Sequence, residues 1–281
     1  MSARQLVSRL RTKRDRPASS APSPPAASSA RSPESQWFWD HYEQAARQIL
    51  EIFAAEGISL AGRSIADIGC GDGITDLGVV HKARPRLLVG FDLNPTNTEI
   101  LYDRARGEGI EEGSGATLRF ERSEPARLPA ADGAFDLAFS WSAFEHVSKP
   151  IEMLHEIHRI LAPGGAFFLQ LWPFYFSDKG SHLWEWFPDG HHHLLRHEAE
   201  IAEETLASVL KPPDWTEMMV REFRQLNRIT VDELQRSMLA AGFVVRRLEL
   251  LAQPTRLTPE LARYSWLDLG IGGIKLIATP A

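Results

Sequence analysis

One cysteine in 281 residues, Cys70, excludes an intramolecular disulfide framework and any cysteine-built zinc cage, and nothing else in the composition calls for an oxidising compartment. No stretch approaches the roughly 20 consecutive apolar residues that span a bilayer, and the first residues lack the apolar centre of a secretory signal. A cytoplasmic protein with no membrane span is therefore expected. Positive charge is scarce outside the beginning of the chain. Residues 1–35 hold Arg4, Arg9, Arg11, Lys13, Arg14, Arg16 and Arg31 against Asp15 and Glu34, which leaves 24 basic and 35 acidic residues for the remainder. An acidic body repels a phosphate backbone, so nucleic acid is not an expected partner.

From Pro17 to Pro33 the chain is Ala, Ser and Pro with almost no large apolar side chain, and such a segment cannot recover its ordering entropy by burial. Residues 1–35 are expected to form a disordered basic tail. Leu6, Val7 and Leu10 allow one short amphipathic turn of the kind organellar transit peptides use, but a solvated tail is the preferred reading. Order is expected near Trp37, where Trp37, Tyr42, Ala45, Ile49, Ile52 and Phe53 recur at helical spacing. Beyond that helix, short apolar runs at 64–68, 87–91, 117–121, 135–140 and 166–171 read as strands, with helical patterns at 74–83, 95–107 and 149–161. This alternation predicts an α/β fold, a Rossmann-like doubly wound and mostly parallel sheet with helices on both faces. After Leu171 the alternation stops, and 172–228 reads as an insertion. A helix at 230–241, a strand at 243–251, a helical piece around 259–266 and a last strand at 274–279, expected to run antiparallel, complete the domain of 36–281.

The first strand runs into Asp67-Ile68-Gly69-Cys70-Gly71-Asp72-Gly73. Glycines belong in a strand-to-helix turn where the backbone takes unusual dihedrals and a ligand comes close. In a nicotinamide-binding G-x-G-x-x-G turn the third glycine would fall on Ile74, so this spacing is a different one. About 20 residues on, Asp92 ends the second strand, where an acid can accept both hydroxyls of a ribose.

At these residues the chain resembles the class I methyltransferase family, in particular its type 11 branch, over about 65–280. Asp67–Gly73 resembles the D-x-G-C-G-x-G loop and Asp92 the ribose-binding acid. The run Leu128-Pro129-Ala130-Ala131-Asp132-Gly133-Ala134-Phe135-Asp136 resembles L-P-F-x-D-x-S-F-D. Lys149-Pro150 followed by Glu156-Ile157-His158-Arg159-Ile160-Leu161-Ala162-Pro163-Gly164-Gly165 resembles K-P…E-x-x-R-x-L-K-P-G-G. The resemblance implies S-adenosyl-L-methionine as cofactor, bound by Asp67, Gly69, Cys70, Gly71, Gly73 and Asp92, with Glu124 and Ser140 beside it. Where the family has Asp-Ala at the adenine, this chain has Glu124-Pro125, a longer substitute. Pro163-Gly164-Gly165 reads as a structural turn between a helix and the next strand.

Methyl transfer from a sulfonium is an in-line displacement helped by positioning, and an aliphatic hydroxyl benefits further from a general base. After the fourth strand, Ser140 to Val147 resembles the segment that faces the transferred methyl, which brings His146 near the chemistry or packs it beneath the cofactor loop. The 172–228 insertion is aromatic and His-rich: four of eight tryptophans and five of ten histidines lie between 172 and 215. Aromatic walls with a few polar groups suit an acceptor pocket, sugar-binding ones included, or else the packing of an ordinary cap. The expectation is O-methylation of a hydroxyl on a small molecule or glycan, with His182 as the first candidate base and His146 the second. His193 and His197 stand four apart and, with Asp189 or His182, could hold a metal. Adjacent histidines cannot all point one way, however, and magnesium prefers oxygen, so no metal is expected. Two rivals stand beside this reading: a methyltransferase fold kept as a binding module, and a nicotinamide or nucleotide-sugar enzyme, for which Tyr175/Lys179 is the only Tyr-x-x-x-Lys pair. Oligomeric state is not encoded in any of these features.

Overall fold

The computed structural model describes residues 31–94, 96–111 and 116–281. The tail expected over 1–35 lies outside these up to residue 30. Its end does not. Ser32 accepts the N–H of Ser35 and caps α1 (Pro33–Trp39), so residues 33–35 of the expected tail are helical. Through a wide π turn at Asp40–Ala45 the chain continues into α2 (Ala46–Ala55). Phe38, Tyr42, Ile49 and Phe53 form the buried stripe of this composite helix.

The β/α alternation follows as β1 (Ser64–Ile68), α3 (Ile74–Ala83), β2 (Leu87–Asp92), α4 (Thr98–Gly107), β3 (Thr117–Arg122), β4 (Phe135–Trp141), α5 (Pro150–Ile160) and β5 (Leu161–Leu171). The insertion carries α6 (His192–Leu195), α7 (Glu198–Leu206) and α8 (Pro213–Gln225). After it come α9 (Val231–Ala240), β6 (Phe243–Ala252), α10 (Trp266–Leu269) and β7 (Ile271–Pro280). The sheet runs β3-β2-β1-β4-β5-β7-β6, with β1 to β5 parallel and β7 antiparallel to both of its neighbours.

Every residue of β1 is buried, as a central parallel strand covered on both faces requires. Alternate residues serve different cores: Ile65 packs with Ile49, Phe53 and Val79 on one face, Ala66 and Ile68 with Leu154 and Ile157 on the other. On the first face α3 meets the π turn backbone to backbone, for a Cβ on Gly78 would lie 2.1 Å from the Tyr42 carbonyl oxygen. The expected turn at Pro163-Gly164-Gly165 is absorbed into β5. Leu161 already pairs with Phe135, and a register shift takes up the irregular residues before Ala166 meets Leu137.

The two later family stretches form one clamp. Arg159 donates to the carbonyls of Leu128 and Ala130 and to the carboxylates of Asp132 and Glu156, while Glu156 accepts the N–H of Leu128. These motif residues hold the approach to β4 against α5. No helix among the described residues is long and apolar enough to cross a membrane.

Candidate active site

Strand order reverses between β1 and β4, and ligands of open α/β sheets bind outside the carboxyl ends at such a switch point. Here the glycine loop leaves β1 and the Ser142–His146 loop leaves β4. They touch: Gly69, at φ +84°, sits so near Ala143 that a Cβ on it would lie 2.5 Å from the Ala143 Cβ. Gly71, at φ +54°, has nothing within 4 Å of the same construction, and its backbone borders open space. Gly73 precedes α3, whose free N–H groups and dipole favour an anionic or electron-rich ligand.

Asp92 spans the two halves. Its carboxylate accepts the Gly71 N–H at 3.1 Å and the Asn94 N–H at 2.9 Å. Thr96 donates to the Gly71 carbonyl at 2.9 Å and lies 3.4 Å from the Cys70 sulfur, so Gly71, Cys70 and Asp92 share one bonded frame. Beneath it Asp67 and Asp76 are buried at 2% and 0% exposure. Burial pushes both acids up, Asp67 to about 7, and the Asp67 charge raises Asp76 further. Asp67 therefore acts from below the loop, and the Cys70 thiol is held protonated by burial.

Of the two residues expected beside the cofactor, one is turned inward and one lies at the edge. Ser140 is fully buried and its hydroxyl donates to the Ile68 carbonyl at 2.8 Å, which ties β4 to β1 and removes the side chain from a ligand's reach. Glu124 stands exposed in the tight turn after β3, its N–H on the Arg127 carbonyl at 3.0 Å, on the same strand edge as the glycine loop.

After β4, the 3-10 turn Phe144–His146 presents Glu145 and His146, and the insertion folds back onto it. Asn227 donates from its side chain to the carbonyls of Phe144 and Val147, at 2.7 and 3.0 Å, and from its backbone to that of Glu145 at 2.8 Å. Glu222, on α8, lies 3.3 Å from His146 Nδ1. His182, in left-handed backbone conformation at φ +64°, places its ring 5.0 Å from that of His146, edge to face. Both expected histidines thus meet, one from the sheet and one from the cap. Burial pushes His182 down to about 3, so it is a neutral imidazole. On His146 burial also lowers, opposed by the Glu222 carboxylate.

Most of the remaining aromatics and histidines of the insertion pack in a second core that Leu261 and Leu269 complete. Tyr175, Leu183, Phe187, Leu194, Ile201 and Phe223 form it, with His192 stacked on Phe187 and His193 bonded to the Tyr175 carbonyl at 2.6 Å. α6 ends at Leu195, so His193 and His197 share no helical face and the metal arrangement considered for them does not exist. Glu145, Glu222 and Asn227 went unassigned in the sequence. Glu145 stood next to His146 in a segment already singled out, whereas nothing local marked the other two.

Seven strands in this order, with a glycine turn at the switch point and an acid closing β2, define a class I methyltransferase fold. A family profile described as "Methyltransferase domain" matches residues 38–248, and the chain belongs to that family, whose cofactor is S-adenosylmethionine. Among curated relatives, the tRNA U34 carboxymethyltransferase of Campylobacter curvus is 30% identical over 41% of this chain and 36% of its own length. The erythromycin 3''-O-methyltransferase of Saccharopolyspora erythraea is 28% identical over 44% and 38%. The matches thus span under half the length of these relatives. A solved SAM-dependent methyltransferase from Methanosarcina mazei superposes with TM-score 0.52 over 81% of this chain and 96% of its own, at 20% identity, a likeness of fold.

Proposed function

We propose that the protein transfers a methyl group from S-adenosylmethionine to a hydroxyl on a small molecule or glycan, held between the carboxyl edge of the sheet and the 172–228 cap. One observation carries the location. The cap delivers His182, Glu222 and Asn227 onto the loop after β4, and that loop touches Gly69 of the cofactor turn. An acceptor at this junction faces both the methyl group and the imidazoles.

In the reaction a C–O bond forms as the S–CH₃ bond breaks, the sulfonium charge disappears, and the hydroxyl proton leaves. Loss of that proton is assigned to the help of His146 and His182. The family's curated relatives act on oxygen and on nitrogen, and the erythromycin enzyme's name, with its acceptor hydroxyl, supports the oxygen reading.

Calorimetry with S-adenosylhomocysteine tests the cofactor half: wild type binds, Gly71→Val does not, and no binding to folded wild type refutes it. Incubating the protein with labelled S-adenosylmethionine and extracts of small molecules and glycans, with mass spectrometry of the products, tests the acceptor half. A product that carries the methyl on nitrogen or carbon would overturn it.

A further inference from the structure

The cluster at the acceptor edge contains more than two histidines. One donor atom each of Glu145, His146 and His182 lies within 4.8 Å of those of the other two. Glu145 is 2% exposed, its Oε2 has no hydrogen-bond partner, and no Lys or Arg among the described residues pairs with it. Nε2 of His182 is buried without a hydrogen-bond partner as well, while Nδ1 of His146 is buried with only the Glu222 carboxylate, unaligned, at 3.3 Å. Three donor-bearing side chains thus converge, and among the described residues only His146 of the three has an ion-pair neighbour outside the cluster, Glu222. Left unpaired, a buried carboxylate is costly, because burial removes its hydration and returns nothing.

We propose that Glu145, His146 and His182 bind a divalent transition-metal cation, with Glu222 beside His146 as the group that orients its ring. Two imidazoles and one carboxylate form a donor set suited to zinc, iron or manganese and poorly suited to magnesium, which demands oxygen. Three protein ligands leave coordination positions open to a substrate oxygen. Bonds of about 2.0–2.2 Å keep two donors on one cation within roughly 4.3 Å of each other, so small ring rotations of His146 and His182 close the site. The ligands come from different segments, two from the turn after β4 and one from the cap. A cation would therefore pin the cap to the sheet as well as fix the acceptor. This last role rests on the proposed acceptor position, and the binding of a cation does not. With the hydroxyl on the cation its acidity rises, so that as the C–O bond forms and the S–CH₃ bond breaks its proton can pass to water, and the histidines then assist as ligands rather than as bases.

The full chain, purified with chelator and dialysed free of it, is titrated with Zn²⁺, Mn²⁺ and Mg²⁺ by calorimetry, and metal content is read independently by mass spectrometry after reconstitution. One equivalent of Zn²⁺ or Mn²⁺ should bind, and Mg²⁺ at least tenfold more weakly. His182→Ala and Glu145→Gln should abolish that equivalent. Glu222→Gln, which acts on the orientation of a ligand, should weaken it by about 10–100-fold. The exposed His197→Ala should leave it unchanged. Should Glu145→Gln fail to fold, His182→Ala and Glu222→Gln decide the matter. Stoichiometric binding that survives His182→Ala, or no stoichiometric binding to wild type, overturns the site. A cation bound in a protein that methylates nothing would instead refute the proposed function and leave the site standing.

Discussion

Replacing Gly69 by alanine perturbs the one place where the cofactor turn and the acceptor loop touch, and the structure separates the damage into two parts. At φ +84° an L-residue is strained whatever its surroundings, by about 1–2 kcal/mol. Its Cβ would also lie 2.5 Å from the Ala143 Cβ, whereas carbon atoms in contact prefer roughly 3.5–4.0 Å. One of the two loops must then move by about 1 Å, and overpacking of this kind costs about 1–3 kcal/mol. The single variant should lose about 2–5 kcal/mol in all. Ala143→Gly removes the opposing methyl and leaves its Cα 3.8 Å away, an ordinary contact. In the double variant the crowding disappears and the dihedral strain stays. Urea denaturation of the four proteins, followed by circular dichroism, should return a favourable coupling of about 1–3 kcal/mol between the two sites. Calorimetry with S-adenosylhomocysteine should show affinity partly restored in parallel. A coupling below about 0.5 kcal/mol would mean that the two loops do not share this contact, and the junction on which the acceptor position depends would be misplaced.

Two further outcomes follow from buried groups. Burial holds His193 at about 3 and His192 at about 4, below the ordinary value, so both are neutral in the fold and take up protons on unfolding. Their stabilisation is complete above the unfolded value of about 6.5 and is lost as pH falls below it, by about 2 kcal/mol each at pH 5. His192→Gln/His193→Gln should flatten the stability profile between pH 7 and 5, and an unchanged slope measured by urea titration would refute the assignment. Arg159→Met breaks the clamp of Leu128, Ala130, Asp132 and Glu156, and should cost about 2–4 kcal/mol by leaving Glu156 and two carbonyls without their donor. Its affinity for S-adenosylhomocysteine should match wild type, and a selective loss of affinity without loss of stability would contradict the structural role.

The elements that local chemistry dictates were legible in the chain. β1 and α3 begin and end where the sequence places them, because an apolar run, a glycine turn and a helical pattern follow one another without ambiguity. β5 starts earlier than expected because Leu161 already pairs with Phe135, while Pro163-Gly164-Gly165 keeps its turn as a bulge, with Gly164 at φ +77°. Ser140 was misplaced for a related reason. A serine at a strand end resembles a ligand contact until β1 is known to lie beside it and to offer the Ile68 carbonyl. The histidines show the limit most sharply. His182 reaches the acceptor edge while His192 and His193 fill the cap's core, and only the path of the chain in space decides which imidazole goes where. Glu222 and Asn227 act on residues about eighty positions earlier, a relation that periodicity does not encode.

The Asn227 clamp makes the cap a loop fastened at both ends. It departs from the end of β5 and returns, through three hydrogen bonds, to the turn beside the cofactor loop, so its entry and exit are fixed by the sheet. Between those ends the cap also packs on Leu261 and Leu269 and receives hydrogen bonds from Arg263 and Tyr264 at the Leu194 carbonyl, so a replacement sequence must keep that contact to stay in place. Under the proposed function, acceptor choice would then lie in an exchangeable part of the chain. Grafting a different sequence between the fixed ends is the route by which a descendant, or an engineer, would redirect the same donor site to another substrate.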